Sequence, residues 1–304
     1  MSGRTVAFLI FFIALSTLVI LAGGSYMPSR KNMPVVTGPV TVFEGHENKT
    51  NLRSYFDERE AYETAFSSVA NDGTTEVVAG IVPHHFLAKD LIARFYAGIA
   101  DDSVERVIVI GPDHFNRLRN PRRDAVTTGR SWDTSFGTVH AELETVAVLG
   151  DTYGIPEDDD VFMNEHSVYT EVPFIRKVFP NAKIVPIVVN DIYEYDAFIG
   201  IGKTLRDISP GKTVLIVSSD FSHEATVEEA KKSDEASISI LSDLRKEELN
   251  GIRCDCRSCM AVMLGFLGDD ARYPFRFFEN MNSADFGGTG KTVTSYVGAY
   301  FLAR

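Results

Sequence analysis

Four short runs rich in Val and Ile, each followed directly by a polar cluster, constrain the fold of this chain most. They are VVAGIV at 77–82, VIVI at 107–110, IVPIVV at 184–189 and VLIV at 214–217. Such continuous short apolar runs are typical of strands that are buried on both faces. Stretches with helical spacing separate them, at 86–99, about 141–150, about 166–178, 192–207 and about 225–247. The alternation predicts an α/β fold with a largely parallel, helix-covered sheet.

One further helix is predicted before this alternating region, and one further strand after it. A helix with apolar residues on one face is expected at 53–70, and the late run SYVGAYFL at 295–302 predicts a final strand. No linker-like stretch interrupts residues 72–304, so we expect 51–304 to form a single domain. The net charge of the chain is −12. Because an acidic surface repels a polyanion, we exclude nucleic acid as a partner.

The N-terminus carries an apolar segment of its own. Residues 6–24 hold no charged side chain, and a helix of that length covers about 28 Å, close to a bilayer core of about 30 Å. We expect residues 1–24 to be a signal anchor or a signal peptide, and we favour a retained anchor because the run exceeds the usual length of a signal core. Residues 25–50 have the composition of a linker. The domain is therefore expected to be membrane-anchored or exported, and to lie outside the cytoplasm.

Histidines follow three of the predicted strands. His84 follows the first, His114 the second, and Asp220 and His223 the last. In open α/β sheets, ligands bind beyond the carboxyl ends of the strands, so these side chains can converge although they are far apart in sequence. Glu165 precedes His166 at the start of a predicted helix. Glu165 could orient a ligand histidine or could simply cap that helix.

All three cysteines lie close together, as Cys254, Cys256 and Cys259. This clustering favours metal ligation or redox chemistry over isolated core cysteines. A closed zinc site is disfavoured because no second Cys or His pair follows at zinc-finger spacing. His84, His114 and one cysteine would form a three-ligand site with open positions, suited to Zn, Cu or Fe. The alternative is that the two histidines are ordinary core residues.

Taken together and in order, the motifs resemble those of a known family. They are Pro83–His84, Gly111–His114, Glu165–Ser167, Ser218–His223 and the segment around Cys256. This set resembles the Memo family, whose bacterial and archaeal members are called AmmeMemoRadiSam system protein B, over roughly 75–304. The fold of that family is similar to that of class III extradiol dioxygenases, which hold non-haem iron with two histidines and a carboxylate.

The resemblance implies roles for particular residues. It places His84 and His114 on the two histidine ligands, Cys256 on the third ligand and His223 on the catalytic base. Asp220, Glu165 and His166 are then expected to act beside them. The implied cofactor is one transition metal, Fe or Cu rather than Zn, and the implied activity is the oxidation of a small substrate.

The chain departs from the family pattern at several positions. His85 stands where a small residue is usual, and Arg257 replaces the glycine that usually follows the metal-site cysteine. Cys254 and Cys259 are additional thiols. In an exported protein, Cys256 and Cys259 could pair under oxidising conditions and lose metal ligation.

Two other functions remain open at this point. The same fold could be a non-catalytic module that binds a metal, a peptide or a small ligand. A hydrolase acting through Ser218 or Ser219 is disfavoured because the sequence there lacks the Gly-x-Ser-x-Gly pattern. We therefore expect a small-molecule or peptide ligand, and a membrane contact through residues 6–24.

Overall fold

The computed structural model describes residues 50–69, 76–192, 194–209, 211–268 and 273–303. The predicted anchor or signal peptide at 1–24, and nearly all of the predicted linker at 25–50, lie outside these ranges. Within the described part of the chain, no helix combines the length and hydrophobicity that a membrane span requires. The described residues belong to one compact α/β unit.

The strands follow the predicted runs closely at the centre of the fold. In chain order they are β1 (Leu52–Arg53), β2 (Val77–Val82), β3 (Arg106–Pro112), β4 (Ala125–Thr127), β5 (Trp132–Thr134), β6 (Gly137–Val139), β7 (Lys183–Val189), β8 (Thr213–Ser218), β9 (Phe275–Asn282) and β10 (Ser295–Leu302). Each of the four Val- and Ile-rich runs forms one strand, and the late run forms β10. The short strands β4, β5 and β6, and the edge strand β9, contain no continuous Val- and Ile-rich run and were not predicted.

The main sheet is mixed. Its strand order is β4-β7-β3-β8-β2-β10-β9. The four central strands, β7, β3, β8 and β2, run parallel to one another. At the two ends, β4, β10 and β9 pair antiparallel. The prediction of a largely parallel sheet is thus confirmed only for the centre. β10 follows β9 without a crossover α-helix, and a parallel pair would need such a crossover.

The helices fill the intervals between the strands. In chain order they are α1 (Arg59–Ser67), α2 (Lys89–Gly98), α3 (Leu143–Tyr153), α4 (Asp159–Phe162), α5 (His166–Tyr169), α6 (Val172–Val178), α7 (Tyr195–Ile208), α8 (Val227–Ser242) and α9 (Arg257–Leu267). Two predictions were wrong in detail. The helix expected at 166–178 is divided into α5 and α6, and the helix expected at 53–70 begins only at Arg59. Arg53, the first residue of the predicted helix, belongs instead to strand β1, which pairs with β5.

The core lies on both faces of the sheet. Along β3, Val107 and Val109 pack into one apolar cluster, while Ile108 and Ile110 pack into the other. This alternation is expected of a strand covered on both faces. The second cluster includes α9, whose side chains are buried from Ser258 to Leu267.

Two glycines let α7 and α9 approach closely. A Cβ atom on Gly202 would lie 1.9 Å from the carbonyl oxygen of Val262, and one on Gly265 would lie 2.2 Å from that of Ile199. Only residues without a side chain fit at such contacts. The close packing fixes α9 in place, and with it the residues that immediately precede the helix.

Candidate metal centre

The two histidines predicted to be ligands meet at the carboxyl end of the sheet. His84 lies two residues beyond the end of β2, and His114 lies two residues beyond the end of β3. Their ring centroids are 4.8 Å apart, and the ring planes are nearly perpendicular. His84 is almost fully buried, whereas His114 is partly exposed. The structure therefore brings together two segments that are 30 residues apart in sequence.

A carboxylate that the sequence analysis missed completes this group. The Oδ2 atom of Asp255 lies 3.2 Å from Nε2 of His84 and 3.7 Å from Nε2 of His114. Ser219 Oγ donates a hydrogen bond of 2.6 Å to Asp255 Oδ1, and the backbone N–H of Asp220 donates one of 3.2 Å to Oδ2. The carboxylate is thus held at a defined position between the two imidazoles. Its only signal in the sequence was its position between Cys254 and Cys256.

Cys256 does not reach this site, which corrects the prediction that it is the third ligand. Its sulfur is bonded to that of Cys259, and both residues are fully buried in the apolar cluster around α9. Cys256 also caps α9, because its sulfur accepts the N–H of Cys259 at 3.1 Å. The predicted ligand, Cys256, is the residue directly after Asp255 in the sequence. The remaining thiol, Cys254, is half-buried, and burial raises its pKa.

Glu165 fixes the orientation of His114. One carboxylate oxygen, Oε1, accepts hydrogen bonds from His114 Nδ1 at 2.7 Å and from the backbone N–H of Ser167 at 3.1 Å. The other, Oε2, accepts the backbone N–H of His114 at 3.0 Å. Burial opposes ionisation of Glu165, but its bonds to His114 hold its pKa below the ordinary value. The residue both caps α5 and orients a histidine, so the two predicted roles coexist.

A second buried acid, Glu171, lies behind His84. Ser218 Oγ is 3.3 Å from Nδ1 of His84 and 3.4 Å from Oε1 of Glu171, and Tyr96 donates its hydroxyl to Oε2 at 2.9 Å. Burial raises the pKa of Glu171 to about 8. The sequence analysis did not identify this residue, since an isolated acid in a helical stretch is usually solvated.

The other predicted site residues lie around the three central side chains. The ring of His166 stacks on that of His114 at 3.9 Å, and burial together with the neighbouring imidazoles lowers the pKa of His166 to about 4. Asp220 accepts the backbone N–H of His84 at 3.2 Å through Oδ1, and its Oδ2 lies 3.9 Å from Nε2 of that residue. Both Asp220 and His166 are therefore close enough to take part in metal binding.

His223 and His85 lie at the edge of the group. His223 is exposed, and its Nδ1 lies 2.7 Å from the carbonyl oxygen of Phe221. Since a carbonyl can only accept, Nδ1 carries a proton, and Nε2 is the nitrogen without a partner in this bond. His223 and Cys254 line a small cleft of about 130 Å³. The Nδ1 atom of His85 lies 2.5 Å from the hydroxyl of Tyr296.

The chemistry of these side chains fits a metal ion. The potential ligand atoms of His84, His114 and His166 lie within 4.8 Å of one another, as do those of His84, Asp220 and Asp255. Burial opposes the charged form of His84, but Asp220 and Asp255 raise its pKa to about 10. Such a concentration of buried carboxylates is costly unless a cation balances it. The cluster therefore has both the ligand types and the charge to hold a transition metal.

Comparison with known proteins agrees with the motifs. A family model described as "Memo-like protein" matches residues 47–300. A MEMO1 family protein of Aquifex aeolicus is 31% identical over 208 residues, which cover 65% of this chain and 76% of the relative. One of Pyrobaculum aerophilum is 31% identical over 54% of this chain and 59% of its own length.

A solved structure, titled as an uncharacterized protein JW3007 from Escherichia coli, is similar to 73% of this chain and 99% of its own, with 11% identity and a TM-score of 0.45. The family assignment does not depend on it, because the match of the family model covers most of the sequence. The chain belongs to the family of Memo-like proteins.

Proposed function

We propose that this protein binds one redox-active transition metal through His84, His114 and Asp255, and that it oxidises a small substrate beside that metal. The observation that carries the proposal is the approach of two imidazole Nε2 atoms to one carboxylate oxygen at the ends of the central strands. Two histidines and one carboxylate, with open positions for other ligands, are typical of non-haem Fe(II) oxygenases.

The carboxylate favours iron over copper. A thiolate ligand, as predicted for Cys256, suits copper as well as iron, because soft sulfur stabilises Cu(I). With Asp255 in its place, the ligand set is two nitrogens and one oxygen. Fe(II) is therefore the metal that we propose, and when bound it supplies the redox chemistry.

The residues around the metal ligands have separable roles. Glu165 keeps the proton of His114 on Nδ1, so that Nε2 faces the site with a free electron pair. His223, whose Nδ1 is held by a backbone carbonyl, presents Nε2 as a proton acceptor at the exposed edge. His166 and Asp220 border the space where a substrate would bind. Orienting His114, accepting a proton and bordering the substrate space are all possible without direct contact with the metal.

Metal content tests the proposal, and the chain offers a matched pair of neighbouring variants. The full chain is loaded anaerobically with Fe(II), with Cu(I) and Zn(II) in parallel, and freed of unbound metal. Elemental mass spectrometry then compares the wild type with Asp255→Ala and with the double variant Cys256→Ser/Cys259→Ser. We expect about one iron per chain in the wild type and in the cysteine variant, and its loss in Asp255→Ala. Circular dichroism confirms that each variant is folded.

Two results would contradict the proposal. If the cysteine variant loses iron while Asp255→Ala keeps it, the third ligand is a thiolate after all. If iron binds but no oxygen is consumed with any member of a substrate panel, the protein is a metal-binding module rather than an enzyme.

A further inference from the structure

The small cleft beside the metal centre has a charge opposite to that of the chain as a whole. Its volume is about 130 Å³, and residues of two segments, 221–223 and 252–257, form its two walls. Arg253 and Arg257 line one wall, and His223 lines the other. Within the described part of the chain, no acidic side chain belongs to this lining. This basic cleft is thus a local exception in a chain of net charge −12.

The two walls of the basic cleft are joined at the metal centre. The backbone N–H of Asp255 donates to the carbonyl oxygen of Asp220 at 3.0 Å. Asp255, the proposed carboxylate ligand, lies within one wall segment, and Asp220 directly precedes the other. The Oδ2 atom of Asp220 in turn lies 3.9 Å from Nε2 of His84. A group bound in the cleft therefore lies beside the proposed metal ligands, and one small molecule can contact both.

The arginines leave one positive charge of the cleft unmatched. Arg257 is paired, because its Nη2 atom lies 3.7 Å from Oδ2 of Asp191. None of the carboxylates that the structure describes forms an ion pair with the exposed guanidinium of Arg253, whose backbone N–H donates to Ser237 Oγ at 2.9 Å. A guanidinium group binds a carboxylate through two parallel hydrogen bonds. The single unmatched charge favours a monoanionic group over a dianionic one.

The metal centre also has an exposed aromatic neighbour. Phe115 directly follows His114 and is 51% exposed. Its ring centroid lies 6.4 Å from that of His166, which stacks on His114. Large apolar side chains at the border of a site provide contact area for the apolar part of a ligand. The centre is therefore bordered by a cationic cleft and by an apolar ring.

We propose that the basic cleft binds the carboxylate group of the substrate, and that this substrate is a small organic acid with an apolar part. Arg253 donates to the carboxylate, Arg257 adds to the positive potential, and Phe115 contacts the apolar part. The cleft volume is about four times the roughly 30 Å³ that one water molecule occupies in the liquid, so it holds one anionic group rather than a whole substrate. The inference rests on the proposed function, because it names the substrate class of the same centre.

Four probes that share a phenyl ring test the charge requirement on the full chain. They are 3-phenylpropionate, 2-phenylethyl phosphate, 3-phenylpropan-1-ol and 3-phenylpropylamine. Affinities are measured by anaerobic calorimetric titration at about pH 8, for both the metal-free and the Fe(II)-loaded protein. We expect 3-phenylpropionate to bind most tightly, and the alcohol and the amine to bind about tenfold more weakly or worse. Equal affinities for the acid and the alcohol, tighter binding of the phosphate, or no saturable binding of any probe would overturn the proposal.

Variants then locate the carboxylate on the metal-free protein, where no ion can bind it directly. Arg253→Gln should weaken 3-phenylpropionate by about fivefold or more, and Arg253→Lys, which keeps the charge but not the paired donors, should weaken it less. Lys232→Gln is the matched control, because it removes an exposed positive charge from α8, outside the cleft, and should change the affinity by less than about twofold. Unchanged affinity in Arg253→Gln, or an equal loss in Lys232→Gln, would overturn the assignment.

Failure of this inference is distinguishable from failure of the proposed function. If the chain binds no iron but the metal-free protein selects 3-phenylpropionate through Arg253, the proposed oxidation is wrong and the cleft remains a carboxylate site. If iron binds as expected but the protein does not prefer 3-phenylpropionate to the alcohol, the metal site remains and the inference about the substrate is wrong.

Discussion

Replacing Glu165 with glutamine should weaken metal binding although Glu165 touches no metal ligand atom directly. Its two oxygens accept three hydrogen bonds, of which two come from His114 and one from Ser167. Glutamine offers a single oxygen, so its amino group must face at least one of these donors. A hydrogen bond to a charged group contributes about 1.5–3 kcal/mol, which corresponds to roughly 10–100-fold in affinity. We therefore expect Glu165→Gln to bind Fe(II) about 10–100-fold more weakly than the wild type.

The assay is an anaerobic competition titration of Fe(II) between the protein and a chromophoric chelator. Glu142→Gln is the matched control, because Glu142 is also a buried glutamate that caps a helix, accepting the N–H of Thr145 at 2.7 Å. Its partners are Thr145 and Arg106 rather than a histidine. The control should lower the free energy of unfolding and leave the affinity for iron unchanged. An affinity of Glu165→Gln within about twofold of the wild type, or an equal loss in Glu142→Gln, would refute this account of Glu165.

Two further predictions concern stability, measured as the free energy of unfolding in urea. Gly202→Ala should destabilise the protein by about 1–3 kcal/mol or more, because its Cβ would overlap the carbonyl oxygen of Val262. Gly200→Ala, on the same helix, is the control, because no described atom lies within 4 Å of the added Cβ. It should stabilise the protein by about 0.5–1 kcal/mol. Equal effects of the two substitutions on the free energy of unfolding would contradict the packing argument. The hydrogen bond from Lys212 lowers the pKa of Asp101 from 3.8 to about 2. Because the folded pKa lies below the unfolded one, the stabilisation is present above about pH 4 and disappears as the pH falls through 2. Asp101→Asn should therefore cost less than about 1 kcal/mol at pH 7 and nothing below pH 2, and a loss that persists in acid would contradict the ion-pair explanation.

The parts of the fold that follow from local composition could be predicted from the sequence. A run such as IVPIVV can be satisfied only where both faces are buried, and it forms β7 at the centre of the sheet. The approach of His84 to His114 also followed, because parallel strands place their carboxyl ends at one edge. Neither the burial of these strands nor the approach of the two histidines requires knowledge of the strand order in the sheet.

The features that could not be predicted depend on contacts between distant segments. Whether Asp255 or Cys256 faces the histidines is decided by the rotation of α9, and that rotation follows from its close packing against α7. Glu171 looks like a solvated acid until Tyr96 and Ser218, which are 75 and 47 residues away, enclose it. Strand β9 lacks a continuous run of Val and Ile, and none of its residues is fully buried, so its sequence does not resemble that of the central strands.

Strand β8 lies between β2 and β3, so the metal centre joins segments from different parts of the sheet, and metal binding affects the stability of the whole domain. His84 and His114 flank the end of β8, and Asp255 comes from a segment more than 100 residues further along the chain. An ion bound to all three can bind only when these segments are assembled, so binding and folding are thermodynamically linked. At a free concentration 100 times its dissociation constant, the ion would add about 2.7 kcal/mol to the free energy of unfolding. The melting temperature of this protein should therefore rise with the supply of its metal.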